Sequence, residues 1–239
     1  MLDLEVAGRI LAQAQYVAAL TGAGISAESG IPTFRGAGGL WQNYRPEELA
    51  TPQAFARDPG LVWEWYAWRQ ELVAKAEPNA GHRALVDLER LTTLTLVTQN
   101  VDGLHARAGS TDPIELHGSL WRVRCTECEA ERTIDEPVGG LPTCAECGAL
   151  ERPGVVWFGE SLPEEPFELA IDAVSRAQVV LVVGTSGIVQ PAASLVEIAR
   201  SKGATVIEVN PEASPGGRNR IALVGRAGEV LPELVKRAT

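Results

Sequence analysis

Residues 16–26 read YVAALTGAGIS, a short apolar run that stops abruptly in a cluster of small and polar residues. A buried parallel strand has this pattern where its carboxyl end opens onto a ligand crevice. Glycines in such a turn let the backbone approach a phosphate, and free N–H groups can point at it. The complete glycine fingerprint of dinucleotide-binding folds is missing, however, and a plain tight turn explains Gly22 and Gly24 equally well.

Three later segments repeat the pattern of an apolar run that ends in small or polar residues. They are residues 94–97 before Thr98-Gln99-Asn100, residues 179–183 before Gly184-Thr185-Ser186, and residues 205–209 before Asn210-Pro211. Segments with helical periodicity lie between the runs, at residues 2–14, 81–91, 167–176 and 192–201. Alternating strands and helices predict an α/β fold with a Rossmann-type, doubly wound parallel sheet.

Two regions interrupt this alternation, one rich in tryptophan and proline and one that holds the cysteines. We therefore predict a discontinuous Rossmann-type domain over residues 1–34, 80–120 and 154–239. The remaining residues would form a smaller lobe, with a helical part at 35–79 and a zinc-binding module at 121–153. The crevice between the two lobes is the expected binding site.

All four cysteines lie in one short segment, as Cys125-x-x-Cys128 and Cys144-x-x-Cys147. Two knuckles with this spacing are typical of a four-cysteine zinc site, and disulfides are the alternative. A reducing compartment favours metal, and four thiolates leave no position for water, so the pattern predicts one structural zinc ion. A nucleic-acid-binding ribbon is disfavoured because residues 127–136 carry more acid than base.

The charge and hydropathy of the 239-residue chain exclude other classes of partner. The formal net charge is −10 and Lys and Arg form no cluster, which argues against direct binding of nucleic acid. No apolar run has the length of a membrane span, and the N-terminus lacks the pattern of an export signal. We expect a cytoplasmic protein without a membrane partner, and a monomer.

The chain has three histidines. His82 is interpreted as a solvated or capping residue of a helix, and His105 as structural. His117 follows a short extended run at the seam between the lobes, where a neutral imidazole can accept a proton near pH 7. His117 is therefore the candidate general base, although its position alone leaves a structural role equally open.

Residues 63–69 hold three of the six tryptophans, most of which we expect in the core. Tyr66 and Arg69 are three residues apart, which on a helix places a phenol and a guanidinium on one face. Such a pair can bind a carboxylate together. An ordinary surface arginine is the simpler alternative.

Together these motifs resemble the sirtuin family, over about residues 17–230. They occur in the order of that family: Gly22-Ala23-Gly24-Ile25-Ser26, Ser29 to Arg35, Thr98 to His105, His117-Gly118, the four cysteines, Phe158-Gly159-Glu160, Gly184-Thr185-Ser186 and Val209-Asn210. The resemblance implies an NAD-dependent protein-lysine deacylase with acylated proteins or peptides as partners. In the family reaction the acyl oxygen attacks the nicotinamide ribose, and the products are nicotinamide, O-acyl-ADP-ribose and free lysine.

The resemblance also implies a role for each matching residue. His117 would be the general base, with Asn100 as a second catalytic residue. NAD would be held by Gly22, Ala23, Gly24, Arg35, Gln99, Asn100, Asp102, Gly184, Thr185, Ser186, Asn210, Pro211 and Ala227. The substrate peptide would add as a strand along Val155, Val156, Phe158 and Gly159. The zinc ion would take no part in the reaction.

Tyr66-x-x-Arg69 resembles the signature of class III sirtuins, in which the pair binds the distal carboxylate of succinyl-, malonyl- or glutaryl-lysine. Ala50 matches the small residue that leaves room for such a chain. We therefore expect a member that removes succinyl and malonyl as well as acetyl groups. The short N-terminus, with little before the first strand, also resembles the compact bacterial members of the family. Two other functions remain open, a protein ADP-ribosyltransferase on the same scaffold and a non-enzymatic zinc-ribbon interaction module.

Overall fold

The computed structural model describes residues 2–33, 45–185, 190–213, 216–217 and 219–239. Two predicted NAD-binding residues, Arg35 and Ser186, lie outside these described residues. The helices are α1 (Leu2–Gln13), α2 (Ala23–Ser26), α3 (Pro46–Leu49), α4 (Pro52–Arg57), α5 (Pro59–Lys75), α6 (Ala80–Glu89), α7 (Leu104–Ala108), α8 (Glu164–Arg176), α9 (Ser194–Ser201) and α10 (Ala227–Ala238). None of the helices in the described ranges is long and apolar enough to cross a membrane.

The strands form two separate sheets. They are β1 (Tyr16–Thr21), β2 (Thr93–Thr98), β3 (Ile114–Glu115), β4 (Gly118–Cys125), β5 (Glu131–Thr133), β6 (Glu151–Val155), β7 (Val179–Val183), β8 (Thr205–Asn210) and β9 (Arg220–Val224). The larger sheet has the order β3-β2-β1-β7-β8-β9, and all its neighbouring strands are parallel. The chain moves outward in one direction from β1 and in the other from β7, so the switch point lies between them. The predicted doubly wound α/β fold is confirmed.

The apolar runs of the sequence are explained by burial on both faces of the sheet. In β7, residues 179, 181 and 183 pack against a cluster formed with α1, α6 and α10, whereas residues 180 and 182 pack against α8 and α9. Side chains alternate between the two faces of a strand, so a strand covered on both sides needs apolar residues at every position.

The smaller sheet is antiparallel, with the order β5-β4-β6. Helix α5 packs on it through Val62, Trp63 and Tyr66, which share a core with Leu120 and Val123 of β4. A side-chain cap starts the helix, since Asp58 accepts a hydrogen bond from the Leu61 N–H (3.0 Å). A helical and a cysteine-bearing part therefore lie together beside the main sheet.

Strands β4 and β6 cross two of the predicted domain boundaries. β4 begins at Gly118, three residues before position 121, and β6 continues to Val155, past position 153. The division into domains stays a prediction, but any boundary between the lobes has to respect these two paired strands.

Candidate active site

The polar segments that follow four strands of the main sheet lie in contact with one another. The Gly24 N–H donates to the Gly184 carbonyl oxygen at 2.8 Å. The Gln99 side chain donates through Nε2 to Oγ1 of Thr185 at 3.1 Å, and Asn210 donates through Nδ2 to the Thr185 carbonyl at 3.1 Å. The ends of β1, β2, β7 and β8 are thus joined at the switch point of the sheet, as the sequence predicted.

Close packing explains why glycines occur at this edge of the sheet. The sequence alone was equally compatible with a plain tight turn. A Cβ atom at Gly24 would lie 2.7 Å from the Cα atom of Gly184, and one at Gly184 would lie 2.4 Å from the backbone nitrogen of Ile25. Gly184 also has a φ of +58°, which disfavours other residues. The two glycines are therefore required for the close approach of two loops, whatever they bind.

Asn100 is the centre of a buried hydrogen-bond network. Its Nδ2 atom donates to the Gly22 carbonyl oxygen and to Ser26 Oγ, both at 3.1 Å. Ser26 in turn donates to Asp102 Oδ2 at 2.7 Å, and the Leu104 N–H donates to Oδ1 at 2.9 Å. Burial raises the pKa of Asp102, and these two hydrogen bonds oppose that shift. The orientation of the Asn100 side chain is fixed before any ligand binds.

His82 continues this network through Ser26. No sequence pattern had indicated that it belongs to the site. Its Nδ1 atom accepts the Asn79 N–H (3.3 Å) in a capping box, so the ring proton is on Nε2, 3.5 Å from Ser26 Oγ. Burial lowers the pKa of His82 to about 4. The interpretation of His82 as a capping residue is confirmed. The alternative that His82 is solvated is wrong, because the residue is completely buried. The Ser26 side chain was also missed, although its motif was recognised.

His105 is buried below the site, as its structural interpretation requires. Its Nε2 atom lies 2.9 Å from Thr21 Oγ1, which donates to Thr98 Oγ1 at 2.8 Å. Thr98 Oγ1 also accepts the backbone N–H of Asn100 at 3.0 Å. Burial lowers the pKa of His105 to about 3, so the ring is neutral at physiological pH.

His117 presents one ring nitrogen as a proton acceptor. Its Nδ1 atom is 3.0 Å from the Gln99 carbonyl oxygen, and since a carbonyl can only accept, Nδ1 carries the proton. Nε2 is therefore the basic nitrogen. Burial lowers the pKa of His117, with the Gln99 hydrogen bond acting in the opposite direction. A neutral imidazole at this position can accept a proton at neutral pH.

A small cavity joins residues that the sequence assigned to the cofactor and to the acyl group. Its polar lining comes from Ser26, Asn100, Asp102 and Arg69. The other described residues that line it are Ala23, Ile31, Pro32, Trp68, Leu72, Val73, Val101 and Leu120. Ala50 and Tyr66 are not among the described residues that line the cavity. Their predicted contact with an acyl chain therefore does not follow from this cavity.

Tyr66 and Arg69 lie on the buried face of α5. Arg69 is 9% exposed, which excludes the ordinary surface arginine. Its guanidinium carbon lies 4.8 Å from the ring centroid of Trp65 and 5.5 Å from that of Tyr66. Burial raises the pKa of Tyr66 and lowers that of Arg69, while Tyr66 and Asp102 act to raise the pKa of Arg69. The guanidinium thus lies beside two aromatic rings at the wall of the cavity.

The predicted peptide-binding segment, residues 155–159, runs between His117 and the start of α4. Val155 pairs with Gly118, and the Val156 N–H donates to the His117 carbonyl oxygen at 2.9 Å. The Phe158 N–H donates to the Ala50 carbonyl oxygen, also at 2.9 Å. The Phe158 side chain is exposed, and Gly159 follows with a φ of +87°. The segment is therefore held near the general-base candidate.

Two predicted NAD-binding residues lie beyond the end of β8. Pro211 begins the turn that follows Asn210, and Ala227 is the buried first residue of α10. The Gly225 N–H donates to the Asn210 carbonyl oxygen at 3.2 Å, which brings the start of α10 to this edge.

The four cysteines form a single cluster. All four Sγ atoms lie within 4.8 Å of one another, with 3.4 Å between Cys125 and Cys147 and 3.6 Å between Cys128 and Cys144. Thiolates around tetrahedral zinc lie about 3.8 Å apart, given Zn–S bonds of about 2.3 Å. These cysteines are positioned to bind a zinc ion.

The two cysteine knuckles also match each other in backbone geometry. The Cys125 N–H donates to the Ala130 carbonyl and the Cys144 N–H to the Ala149 carbonyl, both at 2.8 Å. The residue after each second cysteine has a positive φ, as seen at Glu129 and Gly148. This repeated turn presents four sulfurs to one point.

Comparison with known proteins places these features in a family. Residues 22–191 match the model described as the Sir2 family. The chain is 55% identical over 232 residues to NAD-dependent protein deacylase 2 of Pyrobaculum aerophilum, covering 95% of this chain and 92% of that protein. It is similar to a Sir2 homologue solved as an NAD complex (TM-score 0.92, 53% identity, 98% and 93% of the two chains). It is also similar to a Sir2 protein bound to a myristoylated histone peptide (TM-score 0.80, 35% identity, 99% and 96%).

Proposed function

This chain belongs to the Sir2 family of NAD-dependent protein deacylases, and we propose that it transfers acyl groups from protein lysines to NAD. The acyl group would end on the ADP-ribose part of NAD, and the products would be free lysine, nicotinamide and O-acyl-ADP-ribose, with one water molecule consumed as the lysine amine is released. The observation that carries the proposal is the acceptor Nε2 of His117, at the edge where the ends of β1, β2, β7 and β8 meet.

The residues at this edge fit a dinucleotide. NAD, when bound, supplies an activated ribose carbon that can receive the acyl oxygen. Asn100 and Asp102, held in place by Ser26, would surround the nicotinamide ribose, and Gln99 would lie beside them. Thr185 and Asn210 would hold the adenosine half, together with the loops at Gly22–Gly24, Gly184, Pro211 and Ala227.

His117 would act as the general base. Its Nε2 atom accepts a proton from the ribose hydroxyls, and the Nδ1–H bond to Gln99 stabilises the imidazolium that forms. The apolar lining of the cavity, which includes Ile31, Val101 and Leu120, keeps bulk water away from the reacting groups. The zinc ion at the cysteine cluster would stabilise the small lobe only, because its four thiolates complete the coordination sphere.

The acyl preference is the finer part of the proposal. We propose that succinyl and malonyl groups are removed as well as acetyl, with Arg69 as the group that binds the distal carboxylate. Its support is a guanidinium that lines the cavity and is shielded from water, since charge-assisted hydrogen bonds are strong in such surroundings. Acylated proteins or peptides would be the partners, bound along residues 155–159.

A panel of acylated peptides tests this function. The parent is expected to release nicotinamide from NAD only with acyl-lysine peptides, and His117→Tyr is expected to release almost none. Mass spectrometry should show O-acyl-ADP-ribose and free lysine in equal amounts. ADP-ribose attached to the peptide would instead indicate the transferase alternative, which the names of the relatives do not favour.

A further inference from the structure

Trp157 lies in the middle of the peptide-binding segment but faces the interior of the small lobe. It is 3% exposed, whereas its neighbour Phe158 is half exposed. The role of the segment in strand pairing involves its backbone and does not explain a buried indole with polar contacts. Those contacts lead in two directions, toward the backbone of the segment and toward the acyl pocket.

On the first side, a partly buried ion pair fixes both the indole and the segment. The Arg152 guanidinium donates to both carboxylate oxygens of Glu160, at 2.5 and 2.9 Å, and lies 3.4 Å from the ring centroid of Trp157. Glu160 also accepts the Trp157 N–H at 2.7 Å, and Arg152 donates to the Val155 carbonyl at 3.0 Å. One ion pair therefore sets the backbone at positions 155 and 157 together with the ring.

On the second side, the indole contacts Tyr66, which lies next to the cavity-lining Arg69. Trp157 Nε1 donates to the Tyr66 hydroxyl oxygen at 2.9 Å, in a fully buried pair. The Tyr66 ring is one of the two surfaces on which the Arg69 guanidinium rests, and Arg69 lines the cavity. Contacts thus continue without a break from the peptide-binding segment through Trp157 and Tyr66 to Arg69.

We propose that Trp157, held by the Arg152–Glu160 ion pair, is a positioning residue that fixes Arg69 relative to the bound peptide. The inference rests on the proposed deacylase function and deepens it. An indole N–H can only donate, so it holds the Tyr66 oxygen at one point, and a buried hydrogen bond of this kind defines position as well as adding stability. Trp157 would thereby contribute to the choice of acyl chain without touching it.

The first experiment measures kcat/KM on succinyl- and acetyl-lysine forms of one peptide. Trp157→Phe keeps an aromatic ring under Arg152 but removes the N–H and part of the ring system, and we expect it to lower the succinyl-to-acetyl ratio about fivefold, the effect of one buried hydrogen bond. Tyr66→Phe should have a similar effect, and the double variant should go no further than the larger single one. The KM for NAD should not change. A ratio within about twofold of the parent in Trp157→Phe, or effects that multiply in the double variant, would overturn the inference.

The second experiment tests the ion pair and uses an acetylated peptide alone. Glu160→Gln is expected to raise the peptide KM about tenfold with little change in kcat. The matched control is Glu151→Gln, which breaks the Arg132–Glu151 ion pair away from residues 155–159. In that pair the Glu151 side chain is 4% exposed and the Arg132 side chain is 51% exposed. Equal increases of the peptide KM in both variants would mean that Glu160 only stabilises the fold, and would contradict the proposal.

The two experiments separate this inference from the proposed function. If the parent releases no nicotinamide with any acylated peptide, the deacylase proposal fails. If the parent is active on acetyl peptides alone, only the acidic-acyl part fails, and the second experiment still decides the role of the ion pair. Thermal melting of each variant identifies any that does not fold, in which case the remaining variants decide the outcome.

Discussion

At the scale of single residues, the site depends on which atoms carry protons. The Gln99 carbonyl determines that His117 is protonated on Nδ1, and burial lowers the pKa of the ring. The basic nitrogen is therefore available at neutral pH without further activation. The same side chain placed on the surface would have the usual pKa of about 6.5 and no fixed tautomer.

This arrangement predicts the pH dependence of the reaction. A general base must be deprotonated to act, so kcat/KM should fall as the pH decreases through the pKa of His117. Because that pKa is lowered, the acid limb should have its midpoint below 6.5, the ordinary histidine value. A pH–rate profile of the parent measures this midpoint. A midpoint at or above the ordinary value would show that another group limits the rate or that His117 is not the base.

Arg69 gives a second prediction at this scale. Arg69→Met removes the charge but keeps a long side chain, and it should lower the ratio of kcat/KM for succinyl over acetyl peptides roughly tenfold or more. Arg90→Met on the exposed end of α6 is the matched control and should leave the ratio unchanged. An unchanged ratio in Arg69→Met would refute the acidic-acyl pocket.

The sequence indicated some of these roles but not the partners that define them. Histidine chemistry made His117 a candidate, and helical spacing placed Tyr66 and Arg69 on one face. The hydrogen bond from Trp157 to Tyr66 joins residues 91 positions apart, and Arg69 is buried only in the folded chain, so no local pattern reveals either feature. Ser26 and His82 were missed for the same reason, since their side chains meet only after folding.

At the scale of secondary structure elements, the two cysteine knuckles carry no catalytic residue. The proposed zinc ion would hold together β4, β5 and β6, the last of which leads into residues 155–159. Metal binding should therefore contribute to stability, and loss of metal should affect activity only through unfolding of this lobe.

A prediction on the knuckles follows. Purified protein should contain one zinc ion per chain by elemental analysis. Cys147→Ser should lower the free energy of unfolding by at least about 2 kcal/mol, which corresponds to a Tm decrease of roughly 4–8 °C for a chain of this size. Thermal melting with and without a chelator gives the comparison. Protein that melts at the same temperature after complete metal removal would contradict a structural zinc site.

The buried histidines of α6 and α7 predict how stability depends on pH. His105 has a folded pKa of about 3, against 6.5 when unfolded, so between these values only the unfolded chain binds the proton. The free energy of unfolding must therefore decrease as the pH falls below about 6.5. From about pH 7 to about pH 5 one such histidine accounts for about 2 kcal/mol.

Urea unfolding at these two pH values tests the effect with His105→Gln, which lacks the titrating ring. The variant should lose about 2 kcal/mol less stability than the parent over this interval. The same loss in parent and variant would show that His105 is protonated in the folded state or that it remains accessible to water.

Elements differed in how well the sequence predicted them. The four central strands were predicted because burial on both faces makes them continuous apolar runs. Strand β9 at the sheet edge is only partly buried. The buried residues of α10 recur at helical spacing, but Pro232 within it disfavours a helix when the sequence alone is considered. The glycine turn was ambiguous because its residues are selected by packing against a loop 160 positions later, as the Gly24 and Gly184 contact demonstrates.

At the scale of the whole molecule, the candidate site is formed by segments that are far apart in the chain. The turn at Gly22, Gln99 at the end of β2, Thr185 after β7 and Asn210 at the end of β8 are connected by direct hydrogen bonds. His117 joins them through the Gln99 carbonyl. The α/β topology predicted this convergence, because parallel strands of a doubly wound sheet end at one edge. The interaction-module alternative is wrong, since the chain belongs to the Sir2 family and relatives with 55% identity over 95% of it are NAD-dependent protein deacylases.

Convergence of these segments on one NAD site is tested most directly by calorimetric titration of NAD. The parent protein is titrated without peptide. The His117→Tyr variant is titrated with an acetyl-lysine peptide present, because it avoids turnover. The account predicts saturable binding of one NAD per chain. Absence of saturable binding in both conditions, by a protein that melts cooperatively, would contradict it.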